Sequence, residues 1–199
     1  MNLIEYLRSA DDYSLDRVVK EIYVAKDQQI YQPGQQTNSI YEIVSGAVKL
    51  GSYGSQGQDI TYDILSAPDT FGNLKYLNGQ FFEFAKTIIP CHLRVYQLDF
   101  FKRIIVEDPK VSEWFNKNAV RRWSIAEARL FSIRSANSIE RLQVIYNDFD
   151  REVLDSENKK HHLFSLLTKQ EIGDLTGMTR QTVSQIIKKL KPTRLKKTA

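Results

Sequence analysis

The chain has 199 residues, a formal net charge of +4 and 42% hydrophobic residues, which are ordinary values for a globular protein of one or two domains. Its only cysteine, Cys91, excludes an intrachain disulfide, a four-cysteine zinc site and a cysteine-ligated iron–sulfur cluster. No apolar run predicts a membrane span and the first residues lack the features of a signal peptide, so we expect a cytoplasmic protein without a membrane partner.

Residues 1–20 have the apolar spacing of one or two short helices, and the pattern then changes. From residue 22 to residue 98, short runs rich in Val, Ile, Tyr and Thr alternate with turns rich in Gly, Pro and Asn. The predicted strands are Ile22–Val24, Gln29–Tyr31, Ile40–Val44, Ala47–Tyr53, Ile60–Leu65, Phe84–Ile89 and Leu93–Leu98. This spacing favours a β-sandwich or barrel with apolar side chains inward at every second position. A β-domain that binds no ligand is an open alternative.

A long helix is predicted from Pro109 to about Arg134, because Asp108 is a suitable N-cap and proline suits the first helical position. Its main apolar stripe consists of Val111, Phe115, Ala119, Trp123, Ala126, Leu130 and Ile133, and a second set off that stripe consists of Trp114, Val120, Ala128 and Phe131. A helix with apolar side chains on two sides needs two packing partners. We expect the β-domain to cover one side and a second copy of the chain the other; the alternative is that one chain covers both.

The region after the long helix is predicted to contain a helix capped by Ser138, a polar loop at residues 155–162, and two short helices between residues 167 and 190. The apolar face of the first of these helices includes Leu142, Ile145, Phe149 and Val153. Signals for the ends of the last two helices are the capping-box pair Thr168 and Glu171, the helix-ending Gly177 and the N-cap Thr179.

The second short helix has an apolar stripe and an opposite polar face that suits nucleic acid. The stripe consists of Val183, Ile186, Ile187 and Leu190, and the polar face consists of Arg180, Gln181, Ser184, Gln185 and Lys188. Such side chains suit base edges and phosphates. Residues 159–199 contain ten lysines and arginines against two acids, whereas residues 1–158 carry a net charge of −4. The pattern predicts a helix-turn-helix that binds DNA, and an ordinary two-helix hairpin is the alternative.

These features together resemble the family of bacterial transcription regulators typified by the cyclic-AMP receptor protein and the fumarate-nitrate reduction regulator. The most specific match is LTKQEIGDLTGMTRQTVSQIIKKL at residues 167–190, and two further matches are YEIVSG at residues 41–46 and DTFG at residues 69–72. The resemblance implies an α+β fold in three parts. These are a β-roll of the double-stranded β-helix or jelly-roll type (residues 1–107), a long dimerisation helix (108–136) and a C-terminal, winged-helix-like helix-turn-helix domain (137–199). Only nine residues follow Leu190, so we expect a truncated wing.

The resemblance also implies roles for individual residues at the DNA. Thr168, Lys169 and Gln170 would contact the phosphate backbone, and Thr179 and Thr182 would fix the second helix to phosphates. Arg180 stands where the family reads a guanine, and Ser184 and Lys188 lie on the same face. Gln181 and Gln185 depart from the Glu and Arg of well-known members. Because glutamine pairs best with adenine, we expect a different half-site.

The effector site departs further from the pattern of cyclic-nucleotide binders. The family's Gly-Glu-Leu is Gly72-Asn73-Leu74 here, and the place of its phosphate-binding arginine, residues 82–86, holds no arginine. An unpaired phosphate in a half-buried pocket is costly, so we expect no cyclic-nucleotide binding and no cofactor. An unknown effector, if there is one, would contact Gly72, Asn73, Leu74, Phe84 and Ala85.

The expected function is therefore that of a homodimeric, sequence-specific DNA-binding transcription regulator, with double-stranded DNA, a second copy and RNA polymerase as candidate partners. The alternative is a small-molecule sensor or protein-interaction module without specific DNA binding. An enzyme is not expected, because the sequence shows no Ser/His/Asp pattern, no phosphate-binding glycine loop and no metal-ligand spacing. Neither catalytic residues nor a metal site are predicted.

Overall fold

The computed structural model describes residues 1–10, 13–35, 39–73 and 82–189. Its helices are α1 (Leu3–Ser9), α2 (Leu15–Val18), α3 (Leu98–Glu107), α4 (Pro109–Ser135), α5 (Ser138–Phe149), α6 (Leu163–Leu166), α7 (Lys169–Thr176) and α8 (Arg180–Lys189). Its strands are β1 (Val19–Val24), β2 (Gln29–Tyr31), β3 (Ser39–Ser45), β4 (Ala47–Tyr53), β5 (Asp59–Ser66), β6 (Thr70–Phe71), β7 (Phe84–Thr87), β8 (Cys91–Gln97), β9 (Glu152–Leu154) and β10 (Lys160–His162).

The first eight strands form two antiparallel sheets, which we call the roll. Their strand orders are β1-β8-β3-β6 and β2-β7-β4-β5. Alternating side chains of both sheets meet in one core that includes Ile43, Val48, Leu65 and Leu93. The expected α+β fold with an antiparallel β-domain is thus confirmed. A turn through Gly46 joins β3 to β4, where φ is +110° and a side chain would collide with Cys91.

The N-terminal helices and α3 close one end of the roll. Leu3, Leu7, Phe101 and Ile104 pack there in a second core together with Tyr96 of β8. Helix α3 was not predicted, although its apolar residues have helical spacing, because it follows β8 without an intervening turn residue.

The long helix α4 begins where predicted, since Asp108 accepts hydrogen bonds from the backbone N–H groups of Lys110 and Val111. The predicted main stripe is divided between two faces. Phe115 and Ile133 lie toward the chain's own core side, whereas Trp123 is exposed to solvent. The predicted stripe therefore extends from an inward side to an outward side of α4. Arg122 and Arg129 take the inward face because both bind Asp63 of β5.

Residues 137–189, which we call the C-terminal unit, contain a short hairpin that was not predicted. The cap of α5 is Asn137 rather than Ser138, and it forms a capping box with Glu140. Residues 160–162, expected to be loop, pair as β10 with β9. The hairpin rests on the roll through backbone hydrogen bonds from Gly46 N–H to the Leu154 carbonyl (2.7 Å) and from Ser156 N–H to the Pro90 carbonyl (3.0 Å).

Candidate nucleic-acid interface and effector cavity

The two helices α7 and α8 lie where the sequence predicted them, joined by residues 177–179. Thr168 and Glu171 form a reciprocal capping box at the start of α7. Gly177 ends that helix with φ of +64°, in the left-handed region. Thr179 accepts a hydrogen bond from the backbone N–H of Thr182 at 3.1 Å, which is the bond of an N-cap.

One face of α8 is buried and the opposite face is open to solvent. Val183 and Ile186 pack into a core shared with Leu142 and Leu163. The residues expected to contact DNA lie outside that core: Thr168, Lys169, Gln170, Thr179, Arg180, Gln181, Gln185 and Lys188 are exposed, and Thr182 and Ser184 are half-buried. The short helix therefore presents its polar face outward over its whole described length.

The structure brings residues of both helix N-termini into one surface depression, which is lined by Lys169, Thr179, Arg180, Gln181 and Ser184. The Lys169 ammonium donates to the Ser184 hydroxyl at 3.2 Å across the two helices. The acids of α7 are turned away from this depression, since Glu171 pairs with Lys49 and Asp174 accepts from the backbone N–H of Thr61. A depression with a lysine, an arginine and two helix N-termini is suited to an anion.

The interior of the roll contains a buried carboxyl group. Glu83 accepts hydrogen bonds from the hydroxyl groups of Tyr31 and Tyr62. Burial raises the pKa of Glu83 above its usual range, although both tyrosine hydrogen bonds act in the opposite direction. Burial and the neighbouring Glu83 also raise the pKa of both tyrosines. The Glu83 carboxyl group is therefore held between the buried Tyr31 and the more exposed Tyr62.

A cavity of about 660 Å³ lies between the roll, the long helix and the C-terminal unit. Its apolar wall includes Phe71, Phe115, Ile125 and Phe149. Its volume is within the range of ligand sites in proteins.

A charge network crosses this cavity. Asp63 binds Arg122 at 3.1 Å and Arg129 at 3.0 Å, and Arg129 also binds Asp148 of α5 at 3.3 Å. The network joins β5, α4 and α5, so groups from three elements meet at one place. The spacing of seven residues between Arg122 and Arg129 was a signal that could have shown their common face, but nothing in the sequence identified Asp63 as their partner.

The residues expected to contact an effector do not all lie at this cavity. Gly72 lines it. Phe84 and Ala85 are instead buried in the packing of the roll, where the Phe84 ring lies against Gly51 and Tyr53. Asn73 is half-buried next to Gly72, and Leu74 lies outside the described residues.

A serine, a histidine and an aspartate meet on the surface, which the sequence analysis did not foresee. His162 Nε2 lies 2.7 Å from Asp150, and Ser165 Oγ lies 3.4 Å from His162 Nδ1. Nucleophilic catalysis needs a short serine–histidine contact and a site that excludes water. This contact is long and solvent-exposed, so we read the trio as a surface network.

Within residues 1–10, 13–35, 39–73 and 82–189, no group of histidine, cysteine, aspartate and glutamate side chains is arranged to hold a metal ion. Over the same ranges, no helix has both the length and the apolar character to cross a membrane.

Comparison with known proteins agrees with this architecture. Residues 21–108 match the cyclic nucleotide-binding domain. The global nitrogen regulator of Synechococcus elongatus is 24% identical over 83% of this chain and 76% of its own length. The cAMP-activated global transcriptional regulator CRP of Haemophilus influenzae is 22% identical over 84% of this chain and 75% of its own length.

Solved structures share the fold. FixK2 from Bradyrhizobium japonicum has a TM-score of 0.70 at 21% identity, covering 87% of this chain and 84% of that chain. A CooA mutant from Carboxydothermus hydrogenoformans has a TM-score of 0.71 at 22% identity, covering 95% and 84%. These matches support the resemblance of the chain to the CRP/FNR family of transcription regulators.

The chain carries an acidic residue where the family resemblance places a phosphate-binding arginine. Residues 82–86 of the chain read Phe-Glu-Phe-Ala-Lys, and the acid among them, Glu83, is the one that both tyrosines bind. A carboxyl group at this place repels a phosphate or, when protonated, lacks the charge to neutralise one.

We expect E83Q to change how the stability of the protein depends on pH. Because the folded-state pKa of Glu83 is raised, its favourable contribution is present below the usual glutamate pKa and is lost as pH rises through the folded value. Chemical unfolding of both proteins from about pH 4 to pH 8 should therefore show wild type losing stability relative to E83Q as pH rises. The exposed E5Q controls for the change in net charge, and a wild-type-to-E83Q difference that is constant with pH would contradict this reading of Glu83.

Proposed function

We propose that the chain is a homodimeric, sequence-specific DNA-binding transcription regulator that acts in the cytoplasm, with RNA polymerase as a candidate partner. The observation that carries this proposal is the open depression lined by Lys169, Arg180 and Ser184, where two helix N-termini meet. Similarity to relatives that are named as a global nitrogen regulator and a global transcriptional regulator supports the same reading. A positively charged face without an exposed acid of α7 suits the phosphate backbone of duplex DNA.

In this proposal the N-terminus of α7 binds phosphate and α8 enters the major groove. The phosphate backbone of the DNA is bound by Thr168, Lys169 and Gln170. Thr179 and Thr182 fix the start of α8 to phosphates. Arg180 reads a guanine, while Gln181 and Gln185 suit adenine. Ser184 and Lys188 continue the same face. These roles suit the positions of the side chains, which are exposed except for the half-buried Thr182 and Ser184.

We propose the long helix as the dimer contact. Its exposed apolar side chains Val120, Trp123 and Phe131 are 60%, 65% and 72% accessible, and they recur at helical spacing along one face. An apolar stripe of this kind is costly in water and fits a second copy of the same helix. The proposed chain then has three parts. Residues 1–107 form the sensor-like roll, residues 108–136 form the dimerisation helix and residues 137–199 form the DNA-binding domain.

Small-molecule sensing is the second candidate function, and the cavity between the roll and α4 favours it. In this reading an effector enters the space bounded by Phe71, Ile125 and Phe149 and competes with the Asp63 ion pairs. Sensing and DNA binding are compatible in one molecule. A sensor without specific DNA binding is separated from the first proposal by the DNA experiment below.

A selection from random duplex DNA should recover a two-fold site, because a symmetric dimer presents two copies of α8 about one helical turn apart. R180A should then relax preference at one base pair of each half-site by about 1–3 kcal/mol. K169A should weaken all duplexes alike and reduce the slope of log affinity against log salt by about one per subunit. Recovery of no enriched sequence at low salt, with wild-type protein, would rule out the proposed function.

Cyclic AMP and cyclic GMP should not bind, because the buried Glu83 stands where the family resemblance places a phosphate-binding arginine. Isothermal titration of the purified protein with each nucleotide should show no saturable heat up to millimolar concentration. A stoichiometric site with micromolar affinity would overturn this expectation. It would leave the DNA-binding proposal intact, since that proposal depends on α7 and α8.

W123E should dissociate the dimer, because it places a charge in the middle of the apolar stripe of α4. We expect the dimer dissociation constant from sedimentation equilibrium to rise at least about tenfold, with a parallel loss of two-fold DNA binding. Y23E changes an equally exposed aromatic residue on β1 and should leave the dimer unchanged. Equal association of wild type and W123E would refute the stripe as the contact.

A further inference from the structure

An ion pair joins the roll to the start of the helix pair. Lys49 of β4 lies with its Nζ atom 2.8 Å from Oε1 of Glu171, and the two side chains are only 16% and 9% exposed. Removal of either partner would leave a nearly buried charge unpaired, which is costly. The ion pair therefore favours one position of the start of α7 relative to the roll.

The two carboxylate oxygens of Glu171 bind different partners. While Oε1 binds Lys49, Oε2 accepts the backbone N–H of Thr168 at 2.7 Å, as the return bond of the capping box. Each oxygen is thus committed, one to the roll and one to the helix terminus. Because Thr168 is the N-cap, the position of Lys49 sets the position of the first turn of α7.

A second contact fixes the direction of the same helix. β5 is the edge strand of its sheet, and its Thr61 N–H donates to Asp174 of α7 at 3.0 Å. The other oxygen of Asp174 accepts from Gln170 at 2.8 Å. Two carboxylates, three residues apart on one face of α7, therefore attach the helix to two neighbouring strands.

Apolar packing supports these polar contacts. Ala47, Ile64 and Ile89 of the roll belong to the same buried cluster as Ile172 and Leu175 of α7. Detaching the helix pair would expose this surface to water and would open the edge of β5. The helix pair is held against the roll by a continuous core.

The side of α7 that faces the roll is opposed to the side that the proposed function needs. Lys169 and Gln170 are exposed, as are Arg180 and Gln185 of α8, so docking on the roll leaves the polar face open. We propose that Lys49 is a positioning residue for DNA binding: through Glu171 it holds the phosphate-binding N-terminus of α7 in its reading orientation. This inference rests on the proposed function. It makes the roll, through the Lys49–Glu171 ion pair, a support for the position of α7, which we call the brace.

The test compares K49M with K49R and K26M by titration of the selected duplex at several salt concentrations. We expect K49M to lose at least about tenfold in affinity. The salt slope should remain that of wild type, because Lys49 contacts no phosphate, whereas K169A lowers it. K49R should retain most of the affinity, and K26M, which alters an exposed lysine next to Asp27, should retain all of it. Unchanged DNA binding by K49M would overturn the proposal. Tighter binding would also overturn it, because the contact would then inhibit DNA binding.

A double variant guards against simple misfolding. K49M/E171Q removes both charges and keeps an amide that can complete the capping box, so its fold should be stable. It should nevertheless bind DNA more weakly than wild type, because the link between roll and helix is absent. Wild-type affinity in this variant would show that the ion pair serves stability alone and would overturn the positioning role.

Hydrogen exchange separates this inference from the proposed function, because it needs no DNA. In K49M the amides of residues 172–175 should exchange at least about tenfold faster than in wild type, while those of β8 keep their protection. Equal protection of α7 in both proteins would overturn the brace. A wild-type protein that binds no duplex would overturn the proposed function instead, and the exchange result would then decide the brace by itself.

Discussion

The rest of the structure depends on how Asp63 is neutralised. A carboxylate on β5 that is largely removed from water requires a partner, and it has two, Arg122 and Arg129 of the long helix. Because Arg129 also binds Asp148, the same charge ties α5 to the roll. The rotation of α4 about its axis follows from this requirement. With both arginines directed at β5, Val120, Trp123 and Phe131 point to solvent and become available to a partner.

The roll shows how a family fold can be kept while its binding chemistry changes. The packing of two antiparallel sheets needs apolar side chains at alternate positions, and it is indifferent to the charge of one residue in a connecting segment. Glu83 is such a residue, in the segment before β7. Two tyrosine hydroxyls satisfy its carboxyl group, which explains how an acid is tolerated where the family resemblance expects a cation.

The sequence was most informative where the signal is local. The N-cap at Asp108, the capping box of Thr168 and Glu171, and the left-handed Gly177 depend on neighbours within four residues, and all are present as predicted. The sheet order, the partner of Arg129 and the roles of Lys49 and Glu83 depend on residues far apart in the chain. The β9–β10 hairpin was missed for the same reason, since its polar residues are ordered by backbone contacts to Gly46 and Pro90. Thus the solvent-exposed polar face of α8 could be predicted from the sequence, whereas the cavity lining could not.

The two opposite faces of the long helix α4 make different contacts. The face with Arg122 and Arg129 is bound by charge to the roll and to α5, while the face with Trp123 is free for a second chain. A rigid helix cannot turn one face without turning the other. Any ligand that displaced Arg129 from Asp63 would therefore alter the presentation of the apolar stripe and, through Asp148, the placement of the C-terminal unit. In the proposed dimer, the charge on one strand of the roll would thus influence both the pairing of the subunits and the orientation of α8.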